Sequence, residues 1–211
     1  MPVGEYVIMS GLDALIAKSL KSIIKDNLGD ASFDRIEKRL FEKHGMGFTQ
    51  AVEDFEKIDT VLKEFFGSGA EGIERKILDK VVIMEESKRD EKQWITLEDS
   101  RLIELMLKSL GDEDKKNIIN AVIDESKIIS DILEISNTPQ TSGYRKINSL
   151  IDDGILVQQG YVTMPDGKKV VKYKAVFENI NISIEKNKII VKVQPTKESV
   201  DTSRIMQIVC S

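Results

Sequence analysis

Apolar residues recur at three- and four-residue steps through most of the first eighty positions, the spacing that lines up one face of a helix. Over residues 11–28 they are Leu12, Leu15, Ile16, Leu20, Ile23 and Ile24, and Gly29-Asp30 ends the run. A second helix is predicted over 32–43, with Phe33, Ile36, Leu40 and Phe41 turned inward. His44-Gly45-Met46-Gly47 then breaks the pattern, because two glycines in four residues favour a turn. Thr49 suits the N-cap of a third helix over 49–66, carrying Val52, Phe55, Ile58, Val61, Leu62 and Phe65. Gly67-Ser68-Gly69 separates it from a fourth over 70–84, with Ile73, Ile77, Leu78 and Val81. Four helices with short connections predict a small bundle over residues 1–86, fit for dimerisation or sensing.

Residues 87–95 are charged and lack an apolar stripe, and are expected to be a linker or a solvated helix extension. Thr96 is placed to cap a helix carrying Leu102, Ile103, Leu105, Met106 and Leu110. Helices are then predicted over 113–122 and 125–135, with a polar turn at Ser136-Asn137-Thr138. Pro139 suits the first turn of a third helix, where a missing N–H costs little, and Gly154 stands where such a helix would end. Two β-prone runs, 161–164 and 170–176, flank Pro165-Asp166-Gly167-Lys168. In that turn Pro presets φ and Gly supplies a positive φ, so a hairpin is predicted. Three helices followed by a hairpin is the order of a winged helix-turn-helix domain, placed over 96–194. Ile180, Ile182 and Ile184 alternate, as do Ile189, Val191 and Val193, predicting an added hairpin that extends the wing sheet or joins a dimer interface. Residues 195–211 are expected to be a mobile tail. The expected class is mainly α with a small β component.

Composition removes several function classes. Lone Cys210 leaves no pairing for an internal disulfide, and with His44 as the only histidine an all-protein Cys/His zinc site is nearly excluded. The scattered carboxylates match no calcium loop, and no nucleophile–base pair or phosphate-cradling Lys-Ser/Thr motif is visible. His44 is expected to face solvent. No catalytic, metal or cofactor site is therefore expected. Neither a membrane span nor a secretory leader is visible, so a cytoplasmic location is expected. The net charge of −5 is unevenly distributed. Residues 96–138 hold five basic against ten acidic side chains, whereas 139–175 hold six against three. Phosphate contact needs a basic patch rather than a basic protein, since screening confines the field to about 10 Å.

The stretch TPQTSGYRKINSLIDDGIL at 138–156 resembles the recognition-helix segment of archaeal ArsR-like winged-helix regulators. The positions that carry the likeness are Pro139, Thr141, Ser142, Tyr144, Arg145, Ile147, Leu150, Asp153, Gly154, Ile155 and Leu156. The resemblance covers about residues 96–176 and implies a third helix in the DNA major groove with the wing on phosphate. It carries a DNA-facing role to Gln140, Thr141, Ser142, Tyr144, Arg145 and Asn148, and a phosphate role to Lys168 and Lys169. On a helical wheel 140, 141, 144, 145 and 148 form one stripe that avoids Ile147, Leu150 and Ile151. Arg145 could read a guanine, and Gln140 or Asn148 an adenine. Plainer roles stay open: Tyr144 packed on the preceding helix, Arg145 and Lys146 as a solvated face, and the wing lysines as solubilisers of a turn.

The first four helices loosely resemble a small helical domain of archaeal regulatory proteins, in Phe48-Thr49-Gln50-Ala51 to Phe55, Phe65-Phe66-Gly67 and Gly69-Ala70. The expected function is that of a homodimeric transcriptional regulator bound to double-stranded DNA, with a small-molecule or protein effector acting on the N-terminal part. The alternative is a protein–protein adaptor whose winged helix does not bind DNA.

Overall fold

The computed structural model describes residues 11–85 and 93–209. Helix α1 (Gly11–Leu28) buries Leu12, Leu15, Ile16, Leu20, Ile23 and Ile24, the full stripe read from its spacing. It packs on α2 (Asp30–His44), which buries Phe33, Ile36 and Leu40 but leaves Phe41 exposed. The predicted third helix is three pieces: α3 (Phe48–Ala51), a 3₁₀ turn over Val52–Asp54, and α4 (Phe55–Phe66). It begins one residue early, with Gly47 at the cap position in place of Thr49. Helix α4 lies against α2, and α5 (Ala70–Leu78) lies against α4 and α1. His44 ends α2 and is half-buried rather than solvent-facing.

The fourth helix stops at Leu78, six residues before its predicted end. Val82–Glu85 is strand β1, antiparallel to β2 (Trp94–Leu97), with Val82 opposite Leu97 and Glu85 opposite Trp94. A short apolar run such as Val81-Val82-Ile83-Met84 fits either element by period alone, and here strand pairing decides. Thr96 therefore lies in a strand, and the cap of α6 (Ser100–Gly111) is Asp99. Its carboxylate accepts from the backbone N–H of Arg101 at 3.0 Å and from Ser19 Oγ at 2.6 Å, which ties α6 to α1. Burial pushes this acid up, but bonds from Arg101 and Ser19 outweigh it and hold it below the usual carboxylate range. Residues 87–92 of the expected linker lie outside the described residues, while Trp94 and Ile95 belong to β2.

Helix α7 (Glu113–Ala121), strand β3 (Lys127–Ile128), helices α8 (Ile129–Ile135) and α9 (Gln140–Asp152), and strands β4 (Leu156–Thr163) and β5 (Lys169–Ala175) follow. The helix expected over 125–135 thus starts at Ile129, because Lys127 and Ile128 pair with Tyr173 and Lys172 of β5. These strands form one antiparallel sheet in the order β3-β5-β4. Strands β6 (Phe177–Glu185) and β7 (Lys188–Pro195) do not extend it. They complete the other sheet, β1-β2-β7-β6, with Ile95 opposite Val193. The fold is mainly α with two small antiparallel sheets, over one continuous hydrophobic core from Leu12 to Met206. Among the described residues no helix is long and apolar enough to cross a membrane.

The C-terminal segment is ordered, contrary to expectation, and forms α10 (Lys197–Asp201) and α11 (Arg204–Val209) with Ile205 and Met206 buried. Its anchor is Asp13, in the first turn of α1. That carboxylate accepts from Ser203 Oγ and from the backbone N–H groups of Arg204 (3.0 Å) and Ile205 (3.3 Å), while Ser203 Oγ accepts from Met206 N–H at 2.9 Å. Burial raises the Asp13 pKa, and these bonds only partly offset it. Asp13→Ala should cost about 1–3 kcal/mol, the usual penalty for stranding buried donors and a helix start. Limited proteolysis should then cut near residue 203 faster than in the parent chain.

Candidate nucleic-acid interface

Helix α9 owes its placement to the turn before it and the glycine after it. Thr138 N–H donates to the Leu133 carbonyl at 3.0 Å, Asn137 adopts φ 50°, and the buried hydroxyls of Ser136 and Thr138 bond at 2.9 Å. Pro139 stands just outside the helix, with φ −58° and ψ 136°, and its carbonyl accepts the first helical bond from Gly143 N–H at 2.8 Å. At Gly143 a side chain would overlap Leu133, whose Cδ2 would lie 2.2 Å from an added Cβ. That glycine lets α8 and α9 approach closely. At the far end, Ile155 N–H reaches Leu150 O and Gly154 N–H reaches Ile151 O, each at 2.9 Å, with Gly154 at φ 73°. This is a Schellman closure of the helix.

Gly143, Ile147 and Leu150 are buried, so the opposite side of α9 faces outward. Gln140, Thr141, Tyr144, Arg145 and Asn148 are all exposed, Tyr144 to 48%. Tyr144 thus does not pack into the core. Ser142 leaves the stripe: it is half-buried, and its hydroxyl donates to the Pro139 carbonyl at 3.3 Å. Lys168 and Lys169 are exposed at the β4–β5 turn. That turn closes with Gly167 N–H on Met164 O and Met164 N–H on Lys168 O, both 2.8 Å, and with Asp166 Oδ1 accepting from Lys168 N–H at 3.0 Å. Gly167 has φ 82°, as the Pro-Asp-Gly spelling requires.

The electrostatics of the two flanks of α9 differ. Lys146 donates to Asp112 at 2.7 and 2.9 Å and to Asp114 at 2.8 Å, and Lys115 donates to Ser149 at 2.8 Å. These bonds raise the Lys146 pKa and lower that of Asp112. Asp112 and Asp114, at the start of α7, are thereby engaged on the inner flank. On the outer flank, Arg145 forms no ion pair among the described residues, and neither does Lys168 or Lys169. Sequence reasoning did not single out Lys146 as a tether. The signal available for it was the Asp112-Glu113-Asp114 cluster opening α7.

No known protein family matches the chain, and comparison with curated proteins and with solved structures returns no match.

Proposed function

We propose that the chain is a DNA-binding transcriptional regulator of winged helix-turn-helix type rather than an enzyme, in which α8 and α9 form the helix-turn-helix and the β4–β5 hairpin is the wing. One observation carries the reading: the outward stripe of α9 offers Gln140, Thr141, Tyr144, Arg145 and Asn148 to a partner, with Arg145 in no ion pair among the described residues, while Asp112 and Asp114 are engaged by Lys146. The order α7-β3-α8-α9-β4-β5 and the sheet order β3-β5-β4 fit that architecture. They also fit the likeness to archaeal ArsR-like regulators. Arg145 has the fork geometry for guanine O6 and N7, Gln140 and Asn148 the donor–acceptor pair for adenine, and the two wing lysines neutralise phosphate. Ser142 serves the helix start instead. Two copies, with their α9 helices about 34 Å apart, would read two half-sites.

The test is duplex binding by the full chain over 50–200 mM salt. A regulator of this kind loses affinity steeply, with a log–log slope of about −0.9 per phosphate contacted. A flat response, or no affinity at low salt, would overturn the reading in favour of a protein–protein adaptor. That second reading has its own support in the β6–β7 hairpin, where Ile182, Ile184 and Ile189 share one face and are exposed. Helix pair and hairpin predict different losses, so substitution at Ile184 should leave duplex affinity intact.

A further inference from the structure

A cleft of about 720 Å³ opens between α4, α5 and α11, well away in sequence from the α9 stripe. Two acids on its wall are held in an unusual way. Glu74 is 3% exposed, and no N–H or O–H of the described residues reaches its Oε1. Asp59 Oδ2 accepts from Lys63 Nζ at 2.8 Å, and among the described residues its buried Oδ1 likewise has no donor. The two carboxyls stand close enough on this wall for the Asp59 charge to disfavour a second one on Glu74. Burial, with Asp59 alongside, holds Glu74 protonated up to about pH 8.

We infer that this cleft binds a small organic cation, a primary ammonium on a short hydrocarbon chain, whose N–H groups donate to Asp59 and Glu74. An ammonium brings three donors, enough for both orphaned oxygens, and lets Glu74 ionise. Phe55 and Ile208 supply apolar wall for the chain behind it. The charged groups facing the pair are Glu56 and Lys63 from α4, Glu71 and Arg75 from α5, and Arg204 from α11. With Asp59 and Glu74 ionised, acids outnumber bases in the cleft by four to three, and the cation balances the excess. A metal ion fits less well. Among the described residues no three Asp, Glu, His or Cys side chains gather as ligands.

Below about pH 8 the free protein holds one proton on Glu74; the ammonium enters fully protonated, and that one proton leaves to solvent. Affinity should therefore rise about tenfold per pH unit from pH 6 towards pH 8 and level off above it. The inference stands apart from DNA binding, and its test uses no DNA. Titration of the full chain with n-butylamine, by calorimetry in two buffers of different ionisation enthalpy, should show saturable binding with close to one proton released. Glu74→Gln keeps the shape of the protonated acid and should fold. It should also lower butylamine affinity at least tenfold, with no proton released. Equal binding by parent and Glu74→Gln would overturn the inference. So would equal binding of n-butanol, which shows apolar contact only, or uptake of magnesium but not butylamine.

The same pair fixes a sign for stability. Glu74 binds its proton more tightly in the folded than in the unfolded chain, so folding stability falls as pH rises from about 4.5 towards 8. The melting temperature of the parent should decline across that window, and that of Glu74→Gln should decline less.

Discussion

Arg145→Ala combined with Lys168→Ala and Lys169→Ala is expected to lower duplex affinity by about a hundredfold or more. A bidentate arginine on a base edge contributes about 1–3 kcal/mol of discrimination, and each factor of ten corresponds to about 1.4 kcal/mol. On the proposed reading the lysines act on phosphate, so their loss should weaken all sequences alike and flatten the salt slope by about one unit each. The single Arg145→Ala variant should relax sequence preference while keeping the slope nearly unchanged. Fluorescence anisotropy across a salt series separates these effects. Lys146→Ala is the informative control, because its ammonium is already engaged by Asp112 and Asp114. It should alter stability slightly and duplex affinity little. A triple variant that binds as well as the parent would sink the assignment of α9 and the wing.

Gly154→Ala is expected to be strongly destabilising. Its φ of 73° costs an L-residue about 1–2 kcal/mol by itself. The larger part is steric. An added Cβ would lie 2.4 Å from Leu15 N, 2.8 Å from Gly11 O and 2.9 Å from the Ala14 carbonyl carbon, all backbone atoms of α1. Backbone cannot yield by a rotamer change, so α1 must lift from the α9–β4 corner. A total of about 4 kcal/mol or more is expected, a drop of roughly 10 °C in melting temperature for a chain of this size. Gly160→Ala makes the comparison clean. Gly160 has φ 75° but nothing within 4 Å of the added carbon, so only the backbone part should appear. Equal losses in the two variants would mean that α1 does not dock where the structure places it.

Those two glycines also mark what could and could not be read from the chain. Gly154 was legible as a helix terminator from its place after Ile151-Asp152-Asp153, yet its fit against α1 was not, since nothing local announces a partner 140 residues away. The stripe of α9 and the Pro165–Gly167 turn were legible because both depend on neighbours in sequence: a helical period, and a φ that only certain residues adopt. Ser142 shows the limit of the wheel, which places a residue on a face but does not foresee a hydroxyl turning back to Pro139. Strands β1 and β2 were missed for a different reason. Four apolar residues cannot choose between helix and strand, and the deciding partner, β7, lies about a hundred residues on. The C-terminal helices were missed likewise, because Asp13 supplies their anchor from the opposite end of the chain.

The strand order β1-β2-β7-β6 has a bearing on how the chain reaches its native state. Strand β7 sits between β2 and β6, and it is the last of the four to be synthesised. Until residue 195 is available, β2 has no partner on that side and β6 has none at all, so both present unpaired backbone edges. Contacts such as Ile95 with Val193 close loops of about a hundred residues, which makes completion slow relative to the helical part. A nascent chain halted between β6 and β7 would therefore carry its folded helices beside two sticky, half-built edges, and that intermediate is where chaperone engagement or aggregation should concentrate.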